Sequence, residues 1–134
     1  MIMKGKYDFL SNFYPCTVTY MGITYQNSEA AFQAQKCPER AIEFANLDPS
    51  RAKRLGRRVK LRSDWEEVKI PIMYQILEAK FSNPELMNRL LQVEGEIVEE
   101  TTWGDTFWGV CKGKGNNMLG KLLMDIRDRN KTMC

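Results

Sequence analysis

The chain has 134 residues and a mass of 15.6 kDa, a size that fits one compact domain spanning 1–134. With 43% hydrophobic and 28% charged residues it carries enough apolar material for one core, which sets it apart from disordered and collagen-like chains. Its net charge of +3 is mild, and the absence of histidine excludes Ser-His-Asp triads, Cys-His dyads and His-Glu-x-x-His zinc sites, leaving acid–base chemistry to Asp, Glu, Lys or Tyr.

The first structural signal is Cys16 to Tyr25, two β-branched and aromatic runs around Met21-Gly22, which predicts a β-hairpin. Asn27 and Ser28 are placed to cap a helix from Glu29 to Lys36, ended by Cys37-Pro38 because proline disfavours helix in the residue before it. Asp48-Pro49-Ser50 opens a second helix, proline in its first turn, that continues to about Gly56. Asp64-Trp65-Glu66-Glu67 reads as a capping-box variant before a helix reaching about Phe81. Pro71 lies inside that pattern, so a kink or a restart is expected there.

Ser82-Asn83-Pro84 introduces a helix from Glu85 to about Gln92, and Glu96 to Thr101 alternates as a strand would. An aromatic loop, Thr102 to Trp108, leads into a Gly-rich turn, Gly109 to Asn117. The last helix follows, with Leu119, Leu122, Leu123 and Ile126 on one stripe. The expected fold class is α+β, mainly α: a single compact helical domain with a small antiparallel β element, the N-terminal hairpin plus short strands.

Several polar residues interrupt these patterns. On a helical wheel Glu29, Phe32, Gln33 and Lys36 share a face that is either solvated or part of a site. Lys69 breaks the apolar stripe Trp65, Ile72, Ile76; it either snorkels outward or meets a carboxylate or phosphate at a pocket rim. Trp103, Phe107 and Trp108 flank Asp105 and are either core plugs or plates for a nucleobase. The Gly113-Lys114-Gly115-Asn116-Asn117 segment is either a plain turn or a cradle of amides for phosphate, and it lacks the Walker pattern. Arg51, Lys53, Arg54, Arg57, Arg58, Lys60 and Arg62 place seven cations in twelve positions with no acid between them, a solvated face or a phosphate clamp.

Cys16, Cys37, Cys111 and Cys134 lack any Cys-x-x-Cys spacing, so reduced thiols are expected and no metal site is written. Met1 to Tyr7 contains two lysines and no apolar core of a signal peptide, and no stretch approaches the roughly 20 apolar residues of a bilayer crossing. The expectation is a cytoplasmic protein without membrane contact.

Taken in order, Phe9-Leu10-Ser11-Asn12-Phe13, Ser28 through Lys36, Gly56-Arg57, Leu61 through Lys69, Ala79-Lys80-Phe81, Asp105 through Gly109 and Gly113 through Gly120 resemble the NADAR (YbiA-like) N-glycosidase family. The resemblance runs over nearly the whole chain. It implies hydrolysis of a bond between a ribose carbon and a base nitrogen, without metal or cofactor. The implied substrate is a small phosphoribosyl molecule such as the phosphoribosylamino-pyrimidine intermediates of riboflavin biosynthesis. The alternatives are removal of ADP-ribose from guanine in nucleic acid, or a non-catalytic module that binds ADP-ribose or a nucleotide.

By the same resemblance Glu29, Asp105, Lys69 and Trp65 form the catalytic neighbourhood. Asn12, Phe13, Lys36, Arg57, Trp108 and Asn117 surround the ligand, and Arg62 joins Arg57 and Lys36 as a phosphate binder. The family usually writes His after the motif Glu, and here Ala30 stands in that place. Oligomeric state is not written in the sequence.

Overall fold

Met21 and Gly22 take φ of 51° and 83°, the left-handed pair that a two-residue hairpin turn requires. In the computed structural model, which describes residues 3–132, they join β1 (Val18–Tyr20) to β2 (Ile23–Tyr25). The pair is antiparallel, with Val18 opposite Tyr25, Thr19 opposite Thr24 and Tyr20 opposite Ile23, and Val18 and Tyr25 point into the core. These strands belong to one of two compact units, residues 12–83; the other comprises residues 3–11 and 84–132.

Within residues 12–83, α1 (Ser28–Ala34) is capped as expected: Asn27 Oδ1 accepts from Ala30 N at 2.7 Å. The same side chain donates through Nδ2 to Leu47 O at 3.0 Å, so one residue ties the helix start to a distant loop. A 3₁₀ stretch, Pro38–Phe44, follows, which the sequence pattern did not suggest. In α2 (Pro49–Gly56), Asp48 Oδ1 accepts from Arg51 N at 2.8 Å, again a side-chain cap. α1 packs on α2, on α3 (Trp65–Lys80) and on the hairpin.

Two expectations for α3 are corrected. The Asp64 side chain makes no cap bond to the helix, though its carbonyl accepts from Glu67 N and Val68 N; its carboxylate is held by the Arg62 guanidinium at 2.6 and 3.1 Å, a charge-assisted fork stronger than a cap to a neutral amide. The helix also neither stops nor restarts at Pro71. Pro71 lies on the exposed side, while Ile72, Met73, Ile76 and Leu77 are buried. Burial of roughly 1.5–3 kcal/mol per large apolar side chain outweighs the ~3 kcal/mol that an interior proline costs.

In the other unit a 3₁₀ stretch, Gly5–Leu10, precedes α4 (Pro84–Leu91) and α5 (Met118–Lys131), which pack together. Leu119, Leu123 and Ile126 of the expected stripe are buried and Leu122 is half-buried. The strand expected over residues 96–101 is reduced to β3 (Glu100–Thr101), paired with β4 (Val110–Cys111). That pair is parallel, so among the described residues only the hairpin is an antiparallel sheet. Asn117 explains the shortening: its Oδ1 accepts from Glu99 N at 2.9 Å and its Nδ2 donates to Ile97 O at 2.9 Å, replacing ladder partners with a side chain.

Helices, α and 3₁₀ together, make up about half of the chain, with two two-stranded sheets, an α+β fold that is mainly α. Among the described residues no helix is long and apolar enough to cross a membrane. Asn27→Ala, which removes both the cap and the Leu47 bond, is expected to lower unfolding free energy by about 1–2 kcal/mol, read as a lower urea midpoint at unchanged slope.

Candidate functional site

The first turn of α1 places Glu29 by backbone bonds. Glu29 N donates to Asn12 O at 3.1 Å, and Ser28 Oγ donates to Asn12 Oδ1 at 2.8 Å. Asn12 is itself buried, its amide directed to Met73 Sδ at 3.6 Å. The Glu29 carboxylate is half-buried and accepts from Gln33 Nε2 at 2.8 Å, one turn along the same face. A negative side chain in the first turn of a helix is also favoured by the positive end of the helix dipole.

Around this carboxylate the unit gathers cations and aromatic rings. Lys36 Nζ lies 5.9 Å from the centre of the Trp65 ring, and Trp65 packs on Phe32 at 5.1 Å. Burial pushes the Lys36 ammonium below the ordinary lysine value; the nearby Glu29 charge opposes the shift, and Arg57 and Lys53 reinforce it. Lys53 Nζ in turn lies 5.6 Å from the centre of the exposed Phe13 ring. The structure thus brings Glu29, Lys36, Trp65 and Arg57 into one electrostatic neighbourhood, with Asn12 beneath it and Phe13 beside Lys53.

Lys69 and Arg62 are engaged within the unit. Lys69 Nζ pairs with Glu66 Oε1 at 2.7 Å, and its side chain is 16% exposed against 77% for Glu66. The ammonium thus reaches a carboxylate at the protein surface, on the preceding turn of its own helix. Arg62 spends its fork on Asp64, whose carboxyl is held below the usual range by that bond. Its Nη1 also reaches Gln35 O at 3.4 Å, and its backbone N donates to Lys36 O at 2.9 Å, so Arg62 fixes the chain behind Lys36.

Asp105, Trp108 and Asn117 belong to the unit of residues 3–11 and 84–132. Asp105 Oδ1 accepts from Phe107 N at 3.0 Å and Trp108 N at 2.9 Å, closing a turn in which the two rings meet edge to face at 4.9 Å. The Gly-rich segment is not an open phosphate cradle. The amides of Asn116, Asn117, Met118 and Leu119 donate to the carbonyls of Thr106, Gly109, Phe107 and Trp108. A depression of about 310 Å³ in this unit, lined by Lys6, Tyr7, Phe9, Arg89, Gln92 and Val93, contains none of the residues singled out from the sequence.

In the sequence Gln33 appears only as a neighbour of Glu29 on the wheel, Lys53 only as one of seven clustered cations, and Lys80 only within the family motif. Gln33 stood on the right wheel face, but an amide beside a carboxylate carries no signature. Lys80 is buried at the end of α3, 5.9 Å from the Tyr14 ring centre and 5.3 Å from that of Phe81. Its charge also bears on the nearby Cys16 thiol, which burial nevertheless pushes up. Ala30, in the place of the family histidine, is fully buried.

The family model described as the NADAR domain matches residues 2–130, across both units, and the chain belongs to the NADAR family. It is 39% identical over 133 residues to N-glycosidase YbiA of Escherichia coli (strain K12), spanning 94% of this chain and 83% of that protein. It superposes on the NMR structure of E. coli YbiA with a TM-score of 0.85 at 36% identity, over 99% of this chain and 85% of that one. A riboflavin biosynthesis protein of Vibrio vulnificus (strain YJ016) is 35% identical over 130 residues, 92% of this chain. The chloroplastic riboflavin biosynthesis protein PYRR of Zea mays is 44% identical over 110 residues, 81% of this chain. The chain spans only 35% of the Vibrio protein and 17% of the maize protein.

Because burial lowers the Lys36 pKa, the unfolded chain binds more protons between the lowered value and the ordinary 10.5. The charge penalty is fully present below that window and gone above it. Lys36→Met is therefore expected to be more stable than the unmodified protein at pH 7, with the gap closing as pH approaches 10.5; urea unfolding across pH checks this.

Proposed function

We propose that this chain is an N-glycosidase that hydrolyses the bond between a ribose carbon and a base nitrogen in a phosphoribosylated base. The observation that supports it best is Glu29, its backbone amide held by Asn12 and its carboxylate by Gln33, with the Lys36 ammonium nearby and Trp65, Lys53 and Arg57 gathered around Lys36. The names of its relatives, N-glycosidase and riboflavin biosynthesis protein, favour a phosphoribosylamino-pyrimidine as substrate.

Cleavage breaks the C1′–N bond, and its electron pair leaves with the base nitrogen, which takes up a proton. Positive charge builds on the sugar, and the Glu29 carboxylate stabilises it, as carboxylates do in O-glycosidases. Water adds its oxygen to C1′, and Glu29 accepts the proton it releases. Trp65 supplies a face on which the base stacks, and Lys69, one turn further along the same face of α3, places positive charge at the departing nitrogen. Lys36, Lys53 and Arg57 bind the phosphate, and that remote binding energy positions the reacting carbon. Arg62 and Asn12 act as supports, Arg62 through the Lys36 carbonyl and Asn12 through the Glu29 amide. Asp105 orders its own turn. Every proton in this scheme moves on groups of the chain or water, with no step through a metal.

A second reading is that the same carboxylate removes ADP-ribose from guanine in nucleic acid. It is favoured by the exposed cations Arg54, Arg57, Arg58 and Lys60, which form a surface for a phosphate backbone. The two readings separate in one turnover assay on a phosphoribosylamino-pyrimidine and on an ADP-ribosylated guanine oligonucleotide. Ribose phosphate released from the first supports metabolite hydrolysis, and ADP-ribose released from the second supports the nucleic-acid reading. Glu29→Gln is expected to fold normally and to lower kcat by about 10²-fold or more on whichever substrate turns over. Full turnover by Glu29→Gln would overturn the assignment, and silence on both substrates with tight ADP-ribose binding would make the chain a binding module.

A further inference from the structure

Gln33 is buried, and its two amide atoms have opposite fates. Nε2 donates to Glu29 Oε2 at 2.8 Å, whereas Oε1 is a buried oxygen without a hydrogen-bond partner. A buried acceptor left without a partner is costly, so something must hold the amide in this orientation. Turning it over would put the oxygen lone pairs against the Glu29 carboxylate. The charge-assisted bond to Glu29 is the stronger demand, and it leaves Oε1 facing α2.

There Oε1 meets Gly56, where an added Cβ would collide with it. Gly56 is the last residue of α2, and its φ lies outside the left-handed region. The backbone there does not need glycine, and alanine is favoured over glycine in a helix. The approach of the Gln33 amide is the one demand for a bare Cα that the surroundings of Gly56 show.

We infer that Gln33 is a positioning residue for the reaction, locked by Gly56 so that its amide fixes one oxygen of Glu29 and keeps that carboxylate ionised. This rests on the N-glycosidase reading of Glu29. The charged groups on the elements packed against α1 are Arg51, Lys53 and Arg54 on α2, Glu66, Glu67, Lys69, Glu78 and Lys80 on α3, and Glu39, Arg40 and Glu43 on the 3₁₀ stretch, with Lys36 and Arg57 just beyond the ends of α1 and α2. Lys36 is electrostatically coupled to Glu29, and it shares with Gln33 the task of holding the charge.

A purely structural glutamine and a positioning one differ in sign. Gln33→Leu removes an unpartnered buried oxygen, so thermal stability is expected to stay level or rise. At the same time kcat/KM falls on the order of 10- to 100-fold, the worth of one hydrogen bond to a charged group. The acid limb of the pH–rate profile moves to higher pH, because a donor to the charged form has gone. Gly56→Ala is expected to lower kcat/KM in the same direction by displacing the amide, yet to have no further effect in a Gln33→Ala background, where the added methyl finds room. Loss of stability in Gln33→Leu with an unmoved pH profile, or an equal effect of Gly56→Ala in both backgrounds, would overturn the inference. Titration of the Glu29 carboxyl by NMR in the unmodified and Gln33→Leu proteins decides the matter without turnover: an upward shift supports it, and an unchanged titration sinks it. Failure of the glycosidase reading is thereby distinguishable from failure of this one.

Discussion

The rest of the candidate site depends on how the first turn of α1 is held, and it is held from two directions. Asn27 closes the turn through Ala30 N and anchors it to Leu47, while Asn12 takes the amide of Glu29 and the hydroxyl of Ser28. Neither asparagine donates to the carboxylate itself. They fix the Glu29 backbone, and the Gln33 amide then fixes the side chain, so the carboxylate has little rotamer freedom left to lose when a substrate arrives.

Ion pairs and like charges both surround it. Arg62–Asp64, Arg40–Glu43 and Lys69–Glu66 are pairs at bonding distance. Burial lowers the Lys36 pKa, and the charges of Arg57 and Lys53 lower it further. An anion placed beside Lys36 offsets that repulsion.

Local rules made much of the architecture legible. Asn27, Asp48 and the Met21-Gly22 pair act through bonds between residues a few positions apart, and each element they mark stands where the pattern put it. Where a long-range partner competed, local reading failed: Asp64 leaves its helix for Arg62, Asn117 replaces a strand ladder, and apolar burial carries α3 past Pro71. The site was legible in part for the same reason. Glu29 and Lys36 share a wheel face, whereas the Gln33–Gly56 approach joins α1 to α2 and has no counterpart in spacing. Asp105, Trp108 and Asn117 stand out in the aromatic and Gly-rich loops and take a place in the site through the family resemblance, and within their own unit Asp105 and Asn117 bond to backbone groups.

The ammonium of Lys36 above Trp65 has an optical consequence. Trp65 is 7% exposed and Trp103 is 59% exposed, with Trp108 between them. A soluble quencher therefore silences Trp103 first and leaves an emission dominated by the buried indoles. A positive charge beside one face of an indole perturbs its excited state through the local field. When an anion draws Lys36 toward itself, that field changes at Trp65, so the chain carries within its own candidate site a dye that reports occupancy without any label.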